Sequence, residues 1–324
     1  MMNISLPTTR RTRRLGCAAA LTTGLAIVLA GCAPSPDAAP AGSVSAAAFE
    51  HIHGLGADTG SGQTFVATHQ GMWLIPTDTL PSSYPARSSA DDLAQPTQIA
   101  GRVLDFMAFT VAEPGRLLAS GHPDPDAPSD LALPNLGLIS STDAAENWTQ
   151  LSLEGETDFH DLDAVPLSGD DLRVYGYDSG KGTLAISDDS GTTWTTGQTV
   201  PLRDLAADPA NPDQVYATTA EGLVSSSDAG RTFSLEPAAP ILYLIDVGDV
   251  QTGGGLVGID LDGVVWHQET TAGPWVEGGR TEGAPLALSY VGGSVPWILA
   301  ADDRGVVASD DFGATWTVLV PAEA

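Results

Sequence analysis

His51 and His53 stand two residues apart, a spacing that puts both imidazoles on one side of an extended strand. His69, His122 and His160 follow at longer intervals, and His267 completes the six histidines of the chain. Neutral imidazoles that converge with carboxylates form the donor sets of zinc, copper, nickel and iron sites, so a divalent transition metal is the cofactor this inventory admits. Histidine also changes charge near neutral pH, and the sequence does not separate that use from metal binding. The His160-Asp161 pair is less suited to joint acid–base work, because neighbours on a strand point apart. Other chemical signatures are missing: there is no Gly-Lys-Ser phosphate loop, no dinucleotide fingerprint and no Gly-x-Ser-x-Gly elbow. Whether the imidazoles meet depends on the elements that carry them.

Those elements repeat. Ser187-Asp-Asp-Ser-Gly-Thr-Thr-Trp194 and Ser309-Asp-Asp-Phe-Gly-Ala-Thr-Trp316 share the pattern Ser-x-Asp-x-Gly-x-Thr-Trp. Ser226 to Phe233 is a close third, and Ser141 to Trp148 a worn fourth with Ala145 and Asn147 at the Gly and Thr positions. The pattern resembles the Asp-box, or BNR, repeat of sialidases and other β-propellers. Its aspartates are Asp143, Asp189, Asp228 and Asp311, and the last interval is about twice the others, so one unit lacks the pattern. Spacing puts Glu269 in that gap. An Asp and a Gly at these positions make a tight turn over a buried aromatic, so all four aspartates are expected to be scaffold.

Around each turn the unit has an inner strand such as Asp161–Val165 and a second strand such as Val174–Tyr177. A third strand then opens on glycine, as at Gly71, Gly137, Gly182, Gly222, Gly263 and Gly305. Six such units of about 46 residues fit between residues 49 and 321, the length of four-stranded propeller blades. The expected fold is all-β, a six-bladed β-propeller, with five or seven blades as the margin. Two segments exceed the repeat, Pro76 to Ala100 and His122 to Asn135. Loops of that length serve function or lie loose on the surface.

In a propeller, the loops that enter inner strands and those that follow second strands share one face. That face receives His51, His53, His69, His122 and His160, all from the first three units, and leaves out His267. Asp105, Asp161, Asp178, Arg203 and Asp204 form a supporting rim. The expected site is therefore a ligand-binding or metal-binding sector near the axis.

Phe49-Glu-His-Ile-His-Gly-Leu55, with Ala67-Thr-His-Gln-Gly71 and Ser120-Gly-His-Pro123, is similar to a group of bacterial lipoproteins labelled glycosyl hydrolase or sialidase-like. That resemblance implies a shared site at the histidines more than an activity. The likeness to sialidases implies exo-glycosidase chemistry opposite the turns. That chemistry needs three arginines, a Tyr/Glu nucleophile pair and an acid/base Asp. Arg102, Arg203 and Arg280 precede inner strands in this register, while the Arg-Ile-Pro motif of the first sialidase unit is absent. The same repeat resembles photosystem assembly factors and sorting-receptor ectodomains, which implies an assembly or protein-interaction scaffold as a third reading.

The N-terminus gives an address. Arg10 to Arg14 precede the apolar run Ala18 to Ala30 and the sequence Leu29-Ala-Gly-Cys32. A short apolar core with a basic flank reads as an export signal and not as a spanning helix. Leu-Ala-Gly-Cys resembles the bacterial lipobox, which implies a signal over residues 1–31, a lipidated Cys32 and attachment to the outer face of the cytoplasmic membrane or another extracytoplasmic membrane. Residues 32–48, rich in Pro, Ala and Ser, form a tether. Cys17 and Cys32 are the only cysteines, which excludes a disulfide scaffold and a Cys-based zinc site. With 41 acidic against 13 basic residues and a formal charge of −28, the chain repels phosphate backbones, so no nucleic-acid partner is expected.

Overall fold

The six glycines that open third strands have φ between 62° and 129°. Glycine adopts this region freely and other residues adopt it with strain, so each glycine turns the chain into the third strand of its unit. At Gly305 a Cβ would also lie 2.1 Å from the Val320 carbonyl oxygen. The computed structural model describes residues 49, 51–87, 95–124, 131, 133–248, 254–292 and 295–322. The expected signal, Cys32 and the tether lie outside the described residues, as do parts of the two long segments.

The described residues form six four-stranded antiparallel sheets, each with its strands in chain order. Blade one holds β1 (Ile52–Asp58), β2 (Gln63–Thr68), β3 (Gly71–Leu74) and β4 (Thr97–Gln98). Blade two holds β5 (Asp105–Glu113), β6 (Arg116–His122), β7 (Leu138–Ser141) and β8 (Thr149–Ser152). Blade three holds β9 (Phe159–Pro166), β10 (Leu172–Asp178), β11 (Thr183–Ser187) and β12 (Thr195–Thr199). Blade four holds β13 (Leu202–Asp208), β14 (Asn211–Thr219), β15 (Gly222–Ser226) and β16 (Ser234–Leu235). Blade five holds β17 (Leu244–Val247), β18 (Leu256–Ile259), β19 (Val264–Gln268) and β20 (Val276–Arg280). Blade six holds β21 (Ala287–Gly292), β22 (Trp297–Asp302), β23 (Gly305–Ser309) and β24 (Thr317–Pro321). The first strands touch in sequence, and β21 returns to β1, which closes a six-bladed ring.

The core is divided among the seams. Each of the six hydrophobic clusters joins two neighbouring blades, such as Phe65, Phe106 and Leu117 between blades one and two. Second strands pack on both faces: Val174 and Tyr175, adjacent in β10, are both fully buried. Among the described residues no strand is exchanged between blades one and six: each of these sheets is built from four consecutive strands. The closing seam is apolar, and the first long segment, which starts at Pro76, helps fill it. Leu80, Tyr84 and Ala86 are buried there with Trp297 and Leu299, and Tyr84 meets Trp297 edge-on at 5.4 Å. The segment then returns to supply β4, which pairs with β3 through Trp73–Gln98.

The Ser-x-Asp turns share one hydrogen-bond pattern. Ser187 Oγ donates to Asp189 Oδ1 at 2.8 Å and accepts from the Gly191 N–H, while Thr193 Oγ1 donates to Asp189 Oδ2 at 2.6 Å. Ser226 with Asp228 and Ser309 with Asp311 repeat it. The worn unit keeps it by substitution: Asn147 Nδ2 takes the Thr role on Asp143 at 2.9 Å, and Ala145 adopts φ 67° where others have Gly. In blade five the spacing misleads. Gln268 ends β19 where Ser187 ends β11, so Thr270 and not Glu269 stands in the aspartate position, with Trp275 in the aromatic position. Gln268 Nε2 and the Gly273 carbonyl close that turn in place of the Ser–Asp pair.

Candidate functional site

Inner strands enter the ring from one face, and the second-to-third-strand turns lie on the same face. His53 is the second residue of β1, and His69 follows β2. Asp105 begins β5, His122 ends β6, and His160 is the second residue of β9. The structure gathers these residues into two clusters at one mouth of the axis.

In the first cluster His53 Nε2 lies 3.1 Å from His69 Nε2, and Nδ1 of His69 contacts Asp105 Oδ1. A carboxylate accepts, so His69 donates from Nδ1 and its Nε2 carries a lone pair directed at His53. His51 meets His69 edge-on, with ring centroids 5.1 Å apart. Burial, followed by the neighbouring His69, pushes the His53 pKa down to about 4, so His53 is neutral at physiological pH.

The second cluster centres on Asp158, two residues before His160. Its Oδ2 lies 2.9 Å from His160 Nε2 and 3.3 Å from His122 Nε2. The Oδ1 of Asp158 is enclosed without a hydrogen-bond partner. The hydrogen bond with Asp158 raises the His160 pKa above its ordinary value. His122 Nδ1 also contacts the Pro134 carbonyl at 3.2 Å, which ties this cluster to the long segment of blade two.

Below the mouth is an axial cavity of 220 Å³, lined by His53 and His160 at its rim and by Asp161, Asp163, Asp204 and Asp246 on its wall. These carboxylates bridge blades. Asp161 accepts from the Leu205 N–H at 2.6 Å, Asp163 from Ala207, Asp204 from Ile245 and Asp246 from Tyr290, each in the next blade. Burial pushes Asp163 and Asp204 up to about 6 and Asp246, with Asp163 facing it, up to about 8. Burial and the neighbouring Asp204 hold Asp161 well above the usual carboxylate range.

The expected rim therefore divides. Asp105 belongs to the histidines, whereas Asp161 and Asp204 are bound to backbone. Asp178 pairs with Lys181 at 2.7 Å inside its own turn. Arg203 lines the cavity with its guanidinium 4.6 Å from the Tyr243 ring centre. It is the only arginine among the described residues of that lining. Arg280 ends the outermost strand of blade five, not the approach to an inner strand, so the three candidate arginines do not meet in the cavity. His267 stacks on Phe312 at 3.8 Å between blades five and six, away from the mouth. Asp158, Asp163 and Asp246 were not among the expected site residues. The Asp158-x-His160 and Asp161-x-Asp163 spacings, which place both side chains on one side of a strand, were the available signal. Among the described residues, no group of three or more His, Cys, Asp or Glu side chains is placed to hold a metal ion.

No protein-family model and no curated protein matches this chain. Among solved structures it is similar to a chain in the crystal structure of a nidogen/laminin complex, at 12% identity over 80% of this chain and 93% of that one, with a TM-score of 0.56. It is also similar to an ancestral GH74 enzyme, at 13% identity over 81% of this chain and 36% of that one, with a TM-score of 0.50. A GH74 xyloglucanase from Xanthomonas campestris matches at 16% identity over 83% of this chain and 45% of that one, with a TM-score of 0.50. The chain thus spans less than half the length of these two GH74 chains. The likeness fits the architecture: the chain is a six-bladed β-propeller, and its site is argued from its own residues.

Proposed function

We infer that the chain is an exported, lipid-anchored propeller that binds a ligand at its histidine-rich mouth. The observation that carries this is the pairing of imidazoles with carboxylates, His53–His69–Asp105 and His122–Asp158–His160, at one end of an axial cavity. These imidazoles face one another and two carboxylates, and His122 also reaches the Pro134 carbonyl. The N-terminal basic and apolar segments and Cys32 support export and membrane attachment through lipid, and the acidic body argues against nucleic acid. A thermal-shift screen of divalent metals, mono- and oligosaccharides and small metabolites tests the reading. A ligand whose stabilisation disappears in His53→Ala with His160→Ala supports it. Ligands that all stabilise this variant as they do the wild type place binding elsewhere.

A second reading, sialidase-like glycoside hydrolysis, draws on Asp158. A carboxylate within reach of two imidazoles at the mouth brings acceptor and donor groups together as general acid–base hydrolysis requires. Against it stands the single arginine of the cavity, where a sialic-acid carboxylate needs a cluster. Chromogenic glycosides, including a sialoside, decide: turnover lost in Asp158→Asn supports hydrolysis, and turnover that survives His53→Ala with His160→Ala puts any catalytic centre elsewhere. The scaffold reading is tested by pull-down from a membrane fraction with the same variants.

A further inference from the structure

Building on the reading of the mouth as a binding site, the geometry points to a mononuclear site for a copper(II) or zinc(II) ion. His53 Nε2 and His69 Nε2 are its nucleus; no third side chain is in place beside them, so His51, packed against the His69 ring, has to turn in as the third ligand when the ion binds. The first argument is distance. Two nitrogens about 2.0–2.1 Å from one such ion stand about 2.9 Å apart at a right angle and about 3.3 Å apart at the tetrahedral angle. The observed 3.1 Å lies between these values, so the ion enters without moving either ring far.

The second argument is the direction of the lone pairs. Asp105 holds the Nδ1 proton of His69, which leaves His69 Nε2 bare and aimed at His53. In the metal-free chain His53 must then donate from Nε2. When the ion binds, His53 carries its one proton on Nδ1 instead, and both Nε2 lone pairs face the metal. A histidine with a carboxylate on its far nitrogen is the usual arrangement around protein-bound transition metals. Asp105 is a positioning residue in this scheme.

The third argument concerns His51. It stands at φ 58°, a backbone conformation that residues with a side chain adopt with strain, beside the His69 ring. Strain of this kind gathers at functional sites. The His122–Asp158–His160 cluster is not part of the inferred ion site, since its carboxylate oxygen already occupies the space between the rings.

The test is titration of the purified full chain with Cu²⁺ and with Zn²⁺, with circular dichroism to confirm folding of each variant. One ion per chain is expected. His53→Ala and His69→Ala should weaken binding by more than about 100-fold, and Asp105→Asn by about 10- to 100-fold, the usual range for such partners. His51→Gly removes the backbone strain together with the ligand, so it should keep or raise the melting temperature while weakening binding. His267→Ala, a histidine away from the mouth, should leave affinity within about twofold. Electron paramagnetic resonance of the Cu²⁺ form should show at least two imidazole nitrogens, with one fewer in His53→Gln. Stoichiometric binding that survives both His53→Ala and His69→Ala overturns the inference, as does a folded wild-type chain that takes up neither ion. In either case the wider binding reading stands or falls separately, on whether a screened ligand depends on His160.

Discussion

Two arcs of the ring solve the same packing problem with different side chains. From blade three to blade six, inner strands are joined by the carboxylates of Asp161, Asp163, Asp204 and Asp246, each accepting a backbone N–H of the next blade. Between blades one and two the inner strands approach through glycine instead. A Cβ on Gly54 would lie 3.0 Å from Phe109 Cβ, and one on Gly56 would lie 2.7 Å from Val111 Cγ2. The carboxylate arc commits its polar groups to holding the ring. The glycine arc is held by apolar contact, which leaves His53 and His69 at the mouth bonded to other side chains and not to backbone. Position on the face is therefore a poor guide to role; what each group is bonded to separates scaffold from site.

The largest expected effect breaks the carboxylate arc. Asp246 accepts from the Tyr290 N–H at 2.6 Å and from the Val247 N–H at 2.7 Å. Asp246→Ala leaves two enclosed N–H groups unpaired, and each such loss costs about 1–3 kcal/mol. Chemical denaturation should show a loss of about 2–6 kcal/mol. His122→Ala, with its side chain 38% exposed, should cost less than about 1 kcal/mol. Equal losses in the two variants would erase the distinction between the arcs.

Next is the glycine arc. Gly56→Ala drives a methyl group into Val111 and Phe109, and overpacking of this kind costs about 1–3 kcal/mol. The same denaturation experiment checks it. A neutral result would mean that the seam between blades one and two yields easily and does not depend on its glycines.

The titration of Asp246 gives a smaller effect of opposite sense to ordinary acid denaturation. Its folded pKa is pushed up to about 8 by burial, then by Asp163, with Asp204 also facing it and Tyr290 alongside, against about 3.9 in an unfolded chain. The folded state then holds the proton between those values and the unfolded state does not. Stability is fully present below the unfolded pKa and falls as pH rises through the folded one. Between pH 6.5 and about 8 the slope should be negative and at most about 1.4 kcal/mol per unit from this group. Melting curves of Asp246→Asn should be flatter across that window. A wild-type slope that persists in Asp246→Asn assigns the proton to another group.

Much of the scaffold was legible in the sequence, because strand alternation, glycine-led hairpins and the Ser-x-Asp turns are local signals with fixed geometry. Blade five shows the limit of counting. Glu269 fits the spacing, yet Gln268 ends the strand, and only the strand end sets which residue meets the turn. Ring closure was not legible, since burial of Leu80 and Tyr84 against blade six depends on contacts far along the chain. The five histidines fell on one face from register alone. Their division into a His53–His69 pair and an Asp158-centred pair depends on side-chain rotamers, which a one-dimensional pattern does not carry. Asp161 and Asp204 resemble rim residues in the sequence for the same reason: it shows a carboxylate at the right height, not the neighbouring N–H that occupies it.

The smallest effect sharpens the meaning of scaffold within the turns themselves. Ala145 holds φ 67° in the position where Gly191, Gly230 and Gly313 hold φ 88°, 74° and 82°. The left-handed region costs a residue with a side chain about 1–2 kcal/mol, so glycine here should relieve strain. Its methyl group is buried in the seam between blades one and two, near Trp148, and losing that contact gives back about 0.8 kcal/mol. The difference predicts that Ala145→Gly raises stability by less than about 1 kcal/mol. Any ligand or metal affinity at the mouth should be unchanged, because the turn lies at the far end of its blade. A change in affinity would show that the turns reach the histidine arc, and the separation drawn between holding the ring and binding at its mouth would have to be given up for blade two.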